Sequence, residues 1–170
     1  MVIFVGVEQG ILLAIVLSLI EHTRRGYRPK NSLLVLAKSG DWQPQPLASN
    51  AQALNGLLIY RFTHGMYYAN AELFSVEITS LANNAEPPLR WFCIDAYAID
   101  DVDYTAAETL RTIYGILKEK KIRLVFAHVL DHIKEEGHYD LVHLLGKEAF
   151  YDSLHDVLKA YQQQIELKTK

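Results

Sequence analysis

Residues 91–110 have the sequence WFCIDAYAIDDVDYTAAETL, which contains a strand, a loop and the start of a helix in direct succession. The run from Trp91 to Ile94 is apolar without polar alternation, which is typical of a strand covered on both faces. From Tyr104 to Lys121, apolar residues recur on one helical face and lysines collect at the end. The pattern predicts a central strand followed by an amphipathic helix.

The flanking sequence continues this alternation of strands and helices. Strands are predicted at 33–37, 57–62 and 122–127, with further helices starting at 69 and spanning 139–145 and 153–163. A loop is predicted between the first two strands, where Pro44 and Pro46 lie. This order favours an α/β fold whose later strands are parallel and whose first strand or strands are antiparallel at an edge.

The N-terminal segment has a different character. Residues 2–20 form a nearly uninterrupted apolar run, which Glu8 and Gln9 break. A basic cluster follows at Arg24, Arg25, Arg28 and Lys30. Nineteen helical residues extend about 28 Å, close to the thickness of a bilayer core. We therefore predict a transmembrane helix over 1–21 and a basic linker over 22–32. The basic flank predicts that residues 22–170 lie on the cytoplasmic side of the inner membrane.

Two alternatives apply to this segment. A secretory signal peptide is disfavoured because no basic residue precedes the apolar run and no small-residue cleavage site follows it. A buried core helix stays open as an alternative, since Glu8 is awkward both in lipid and in a protein core.

Composition bounds the remainder of the chain. Of the 170 residues, we assign 33–160 to one domain and 161–170 to a polar tail. The net charge is −3, and residues 1–30 carry four basic and two acidic side chains, which leaves −5 for the rest. This balance argues against nucleic acid as a partner. Cys93, the single cysteine, lies in an apolar segment and is predicted to be a buried structural thiol.

Sequence signatures of catalysis and metal binding are lacking. No Gly-x-Ser-x-Gly elbow, phosphate loop or dinucleotide fingerprint occurs, so neither an enzyme nor a cofactor is expected. The acidic run at 100–103 lacks the glycine and terminal glutamate of a calcium loop. No metal is expected either, because the histidines at 128, 132, 138 and 143 have irregular spacing and are interpreted as solvated.

Three segments together carry a family resemblance. They are 56–71 (GLLIYRFTHGMYYANA), 95–110, and 8–15 (EQGILLAI). They resemble the C-terminal end of SulP anion transporters, in which a last transmembrane helix and a basic linker lead into a cytoplasmic STAS domain. The stretch 60–71 is specific to the transporter branch, whereas 95–110 is shared with the bacterial anti-sigma factor antagonists.

The resemblance implies both architecture and role. It implies a STAS-like domain with a mixed, mostly parallel sheet and flanking helices, preceded by one transmembrane helix. It also implies a regulatory or assembly role in a sulfate or related anion transporter, with the remaining transmembrane domain, the membrane and a second copy of the chain as expected partners. A single span cannot build a transporter's midplane anion site, so the chain is expected to hold no substrate site.

In the antagonists, a phosphorylatable Ser or Thr precedes the second helix, and the resemblance places it at Thr105, within a loop that includes Asp95, Asp103 and Tyr104. This implies an alternative function as a membrane-tethered antagonist-like module switched at Thr105. The favoured interpretation of Thr105 is structural, since Thr105 and Glu108 have the spacing of a capping box.

Two aromatic residues, Tyr67 and Tyr68, lie beside Gly65 at a predicted strand-to-helix turn. Core closure is the simpler interpretation, and an interaction surface for a membrane domain or a sister subunit is the functional one. A third hypothesis is a small-ligand sensor around Tyr67, Ala96 and Thr105.

Overall fold

The computed structural model describes residues 6–27, 30–131, 133 and 141–169. We number its strands β1 to β6 and its helices α1 to α5 in chain order. The strands are β1 (Ser32–Leu36), β2 (Trp42–Gln45), β3 (Leu57–Arg61), β4 (Trp91–Asp95), β5 (Arg123–Ala127) and β6 (Phe150–Tyr151). The helices are α1 (Val7–Tyr27), α2 (Tyr68–Asn84), α3 (Tyr104–Glu119), α4 (Leu141–Leu145) and α5 (Leu154–Thr169), with short 3-10 turns at Leu47–Ser49 and Lys147–Ala149.

The strands form one mixed sheet in the order β2-β1-β3-β4-β5-β6. β1 is antiparallel to both of its neighbours, and β3 to β6 are mutually parallel, with Tyr60, Ile94 and Phe126 in register across the sheet. The predicted α/β class, with a mostly parallel sheet and an antiparallel edge, is confirmed. β4 lies in the middle of the sheet, as its apolar sequence predicts.

Two hydrophobic layers cover the sheet. Side chains of β3 alternate between them: Leu58 and Tyr60 pack with α2 and α3, whereas Leu57 and Ile59 pack with α5. Every residue of β4 is buried, because helices lie on both faces of this strand. Cys93 is fully buried there, and burial raises the pKa of its thiol well above the ordinary value, as expected of a structural cysteine.

The predicted loop around Pro44 is instead the strand β2. Its residues pair antiparallel with β1, and Pro44 lies opposite Leu34. β2 is the outermost strand of the sheet, so the missing N–H of Pro44 removes no bond to a further strand. A proline would interrupt the hydrogen bonds of a central strand, but the edge position of β2 accommodates Pro44.

The predicted polar tail at 161–170 also differs from the structure, because α5 continues through Thr169. Tyr161 is buried, and its hydroxyl donates to the backbone oxygen of Asn55 at 2.7 Å. Gln164 Oε1 accepts a hydrogen bond from Trp91 Nε1 at 2.7 Å. The polar sequence at 162–164 therefore belongs to a helix that packs on the sheet.

α1 contacts α2 and exposes its apolar side chains, with Leu12 and Leu19 each about 65% exposed. Within the described residues, no helix combines the length and the apolarity that crossing a bilayer requires. The transmembrane helix predicted over 1–21 is therefore not confirmed. Glu8, Gln9 and Glu21 lie within α1, and its apolar part between them is only 11–20.

Candidate functional site

The loops that follow β3 and β4 are joined at the carboxyl-terminal edge of the parallel strands. Met66 N donates to Asp101 O at 2.8 Å, and Asp103 N donates to Met66 O at 2.9 Å. These bonds place the first residues of α2 beside the first residues of α3. The predicted site residues Tyr67, Tyr68, Asp103, Tyr104 and Thr105 therefore lie together at one edge, which we call the strand-end edge.

Asp103 caps both helices at this edge. Its Oδ1 accepts from Ala106 N at 2.8 Å in α3, and its Oδ2 accepts from Tyr68 N at 2.7 Å in α2. The predicted capping box at Thr105 is wrong, because α3 begins at Tyr104 with Asp103 as its N-cap. Glu108 instead pairs with Arg111 one turn further along α3.

Thr105 is thereby left in the first turn of α3 as an exposed residue. Its hydroxyl is not needed as the N-cap, and the free N–H groups of a first turn favour a nearby anion. The carboxylate of Asp103 at the same helix end opposes such an anion. Thr105 is therefore accessible to modification. The capping residues of this turn carry no positive charge that could pair with a phosphate on Thr105.

The turn into α2 is closed by a buried asparagine, Asn70. Its Oδ1 accepts from Tyr67 N at 3.0 Å, and its Nδ2 donates to Gly65 O at 2.9 Å. Burial and then the charges of Asp101 and Asp100 raise the pKa of Tyr67. Tyr67 is 40% exposed and Tyr68 is 75% exposed. Tyr68 therefore does not close the core and remains available to a partner.

Asp95 is the fully buried charge at the strand-end edge, at the end of β4. Its Oδ2 accepts from Arg61 Nε at 2.6 Å, and its Oδ1 lies 2.8 Å from His128 Nδ1. Arg61 ends β3 and His128 directly follows β5, so three neighbouring strands each supply one member. Asp95 Oδ1 also accepts from Tyr97 N at 3.3 Å. A buried carboxylate held by these three partners fixes the positions of the three loops.

Nothing in the local sequence marks Arg61 and His128 as partners of Asp95. The interpretation of His128 as a solvated histidine is wrong: its side chain is 29% exposed, lies on Asp95 and makes an edge contact with the Tyr97 ring. The sequence positions of Arg61 and His128 could have predicted this pairing, because each residue lies at the carboxyl end of a predicted strand and parallel strands bring such side chains together. His132 and His138 lie outside the described residues.

An open groove of about 580 Å³ separates α2 from α3 next to this edge. It is lined by Tyr68, Ala69, Ala71, Glu72, Ser75, Thr105, Thr109 and Thr112. Thr109 and Thr112 donate their hydroxyl hydrogens to backbone oxygens one turn back in α3. The groove thus presents small side chains and hydroxyl oxygens, a surface suited to a docked segment. Across the described residues, no cluster of three metal-ligating side chains occurs.

The sequence of the chain matches the family model of the STAS domain over residues 48–157. The chain is also 26% identical over 168 residues to a protein of Mycobacterium tuberculosis named "Probable sulfate transporter". That alignment covers 96% of this chain and 30% of the mycobacterial protein. The chain thus spans less than a third of this relative's length.

Solved structures show the same fold. The murine Solute Carrier 26 anion transporter in its inward-facing state aligns with a TM-score of 0.74 at 15% identity, over 94% of this chain and 26% of that one. The SulP transporter STAS domain from Vibrio cholerae aligns with a TM-score of 0.53 at 17% identity, over 64% of this chain and 83% of that one.

Proposed function

Because the chain belongs to the STAS domain family, we propose that it is the C-terminal region of a SulP-type sulfate or related anion transporter. In this proposal it has a regulatory or assembly role and holds no substrate site of its own. The observation that carries the proposal is the alignment with the mycobacterial sulfate transporter, which extends over 96% of the chain, well beyond residues 48–157.

The segment before residue 48 also supports a transporter origin. The alignment with the murine transporter covers 94% of this chain, so it includes residues that precede residue 48. We propose that residues 1–21 are the last membrane helix, completed by contacts with other helices, and that residues 22–170 lie on the cytoplasmic side of the inner membrane. The exposed apolar side chains of α1 and the basic residues that follow residue 21 fit this placement.

We assign the contact with the transmembrane domain to the strand-end edge. Its exposed tyrosines, Tyr68 and Tyr104, adjoin the carboxylates at 100, 101 and 103. Cytoplasmic loops of membrane proteins are enriched in lysine and arginine, so an acidic surface with tyrosines is complementary to them. β1 starts at the same edge, since Ser32 pairs with Arg61, which brings the linker from α1 to this side of the domain.

The decisive experiment isolates the native protein from membranes of its source with an antibody against residues 31–170. We expect it in the membrane fraction, either within a longer polypeptide of many spans or bound to a multi-span subunit identified by mass spectrometry. Uptake of radiolabelled sulfate should fall when the corresponding gene is disrupted. Recovery of the chain alone from the soluble fraction would rule the proposal out.

A matched pair of substitutions tests the proposed contact. Tyr68→Ser together with Tyr104→Ser changes exposed side chains at the strand-end edge, whereas Val76→Ser changes an exposed apolar side chain in the middle of α2, away from that edge. We expect the double variant to lose the multi-span partner on purification and the control variant to keep it. Equal recovery of the partner by both would contradict the assignment of this surface.

The alternative function, an antagonist-like module switched at Thr105, is favoured by the exposure of Thr105 beside the groove between α2 and α3. Phosphate there would add nearly two negative charges at the groove. Mass spectrometry of the native protein should then find phosphothreonine at 105, and Thr105→Glu should release a bound partner that Thr105→Ser retains. An unmodified Thr105 under all growth conditions would eliminate this function.

A further inference from the structure

A second site lies at the opposite edge of the sheet, where β4 and β5 begin. A pocket of about 220 Å³ is lined there by three cationic side chains, those of Arg90, Lys121 and Arg123, together with Trp91, Tyr161 and Gln164. Among the described residues, no acidic side chain lines this pocket.

The described residues give these three cations no ion pair. In the described part of the chain, no carboxylate lies within 4 Å of the charged groups of Arg90, Lys121 or Arg123. The Arg123 guanidinium lies 4.7 Å from the centre of the Trp91 ring, and its Nη2 donates to Glu148 O at 3.0 Å. Arg123 is therefore fixed by an aromatic ring and a carbonyl and forms no ion pair with a described carboxylate, although Glu148 lines the adjoining groove together with Lys121 and Arg123.

The backbone holds the cations in place. Arg123 N donates to Arg90 O at 2.8 Å, and Arg90 N donates to Gly56 O at 2.8 Å. Lys121 follows the C-terminus of α3 with a φ of 60°, a left-handed conformation that favours glycine. The helix dipole gives a lysine here some stabilisation. That attraction does not account for the two arginines brought to the same pocket, Arg90 directly before β4 and Arg123 at the start of β5.

We propose that this pocket binds a tetrahedral oxyanion group, either as free sulfate or phosphate or as the phosphoryl group of a small metabolite. Guanidinium groups donate to such groups in a bidentate manner, and lysine adds a point charge. Gln164 uses its Oε1 on Trp91 Nε1, so its amide NH₂ is the end that can face the anion. Binding a dianion relieves the mutual repulsion of the three cations.

The test uses the full-length chain in detergent with Trp42→Phe, which leaves Trp91 as the only tryptophan. Sulfate, inorganic phosphate and glycerol 3-phosphate are titrated at constant ionic strength against sodium chloride, and Trp91 emission is recorded. We expect a saturable change at micromolar to millimolar concentration. Saturation by sulfate and phosphate identifies a free anion, and saturation by glycerol 3-phosphate alone identifies a phosphorylated metabolite.

Substitutions inside and outside the pocket test whether the change in Trp91 emission reports anion binding in the pocket. Arg90→Gln and Lys121→Gly should each weaken binding by about tenfold or more, the loss of one charge-assisted hydrogen bond. Lys121→Gly also relieves the left-handed backbone, so the fold persists. Lys120→Gln removes the same charge from an exposed residue outside the pocket and should leave the affinity unchanged.

Two results would overturn the proposal: no saturable response to any of the three probes, or equal affinities in the pocket variants and the Lys120→Gln control. The inference does not depend on the transporter assignment, because the titration measures a property of this chain alone. A failure of the membrane isolation experiment would leave the titration unaffected.

Discussion

At the scale of single residues, two carboxylates organise the strand-end edge. Asp103 closes the first turns of α2 and α3, and Asp95 ties the ends of three parallel strands. The sequence marks both residues as neighbours of Thr105. Asp103 has one local partner, Ala106, but Tyr68, Arg61 and His128 lie 33 to 35 positions from their carboxylates, and local sequence does not specify such pairings.

Asp103→Ala should lower the free energy of unfolding by about 1–2 kcal/mol, because two helices lose a cap at once. Thr105→Ala should change it by less than about 0.5 kcal/mol, since the Thr105 hydroxyl is not the cap. Urea denaturation of both variants measures the difference. A larger loss of unfolding free energy in Thr105→Ala than in Asp103→Ala would instead support a capping box formed by Thr105 and Glu108.

Asp95→Asn should lower the free energy of unfolding by about 2 kcal/mol or more, because Arg61 and His128 lose the charge that they share. The comparison is Asp152→Asn, an exposed carboxylate in the loop before α5, which should have little effect. Both are measured by urea denaturation at neutral pH. Equal stabilities of the two variants would show that the Asp95 network does not stabilise the fold.

Tyr60 makes stability sensitive to alkaline pH. Its buried hydroxyl donates to Glu77 Oε2 at 2.6 Å, and burial, followed by the charge of Glu77, raises the pKa of Tyr60 well above 10.0. The folded state thus keeps a proton that the unfolded chain loses above about pH 10. Stability should be unaffected by this group below that pH and fall above it.

Tyr60→Phe should show a shallower alkaline decline, although it is less stable by about 1 kcal/mol at neutral pH because Glu77 loses a donor. Denaturation midpoints from about pH 8 to about pH 11 measure both effects. The remaining decline is expected from Tyr67, Tyr151 and Tyr161, whose pKa values burial also raises. An unchanged slope in the variant would contradict the role given to Tyr60.

At the scale of elements, hydrophobic periodicity located α2, α3 and β3 to β5 from the sequence, because these elements bury whole apolar faces. β2 was not predicted because this edge strand has no apolar run and contains Pro44. The end of α5 was not predicted because residues 162–164 are polar, and because Tyr161 and Gln164 contact Asn55 and Trp91, which lie far away in the chain.

Truncation tests the assignment of α5. A chain ending at residue 160 loses buried Tyr161 and Gln164, and its free energy of unfolding should fall by about 3 kcal/mol or more, as for other buried aromatic residues. A chain ending at residue 165 keeps both contacts and should lose less than about 1 kcal/mol. Thermal and urea denaturation measure the two losses. Similar stabilities would mean that residues 161–165 are the polar tail first predicted.

At the scale of the whole molecule, the sheet separates two chemically different edges. Carboxylates and tyrosines lie where the parallel strands end, and unpaired arginines and a lysine lie where β4 and β5 begin. α1 adds a third surface, since its apolar side chains are exposed. An apolar surface of this kind requires a lipid or protein environment.

Deletion of residues 1–29 should therefore convert a self-associating or detergent-dependent protein into a monomer in plain buffer. β1 and its pairing with β3 lie outside the deleted residues, so the sheet should be retained. Size-exclusion chromatography with light scattering measures both proteins with and without detergent. An intact chain that stays monomeric without detergent would contradict this prediction.

The sequence by itself determined the α/β class, the central position of β4, and the turns that carry Tyr67 and Asp103, because burial periodicity and turn chemistry are local properties. Only the tertiary structure decided that Asp103 also caps α2, that Asp95 is shared by Arg61 and His128, and that three cations from separate elements form one pocket. Those features arise from contacts between residues far apart in the chain, and such contacts exist only once the sheet has assembled.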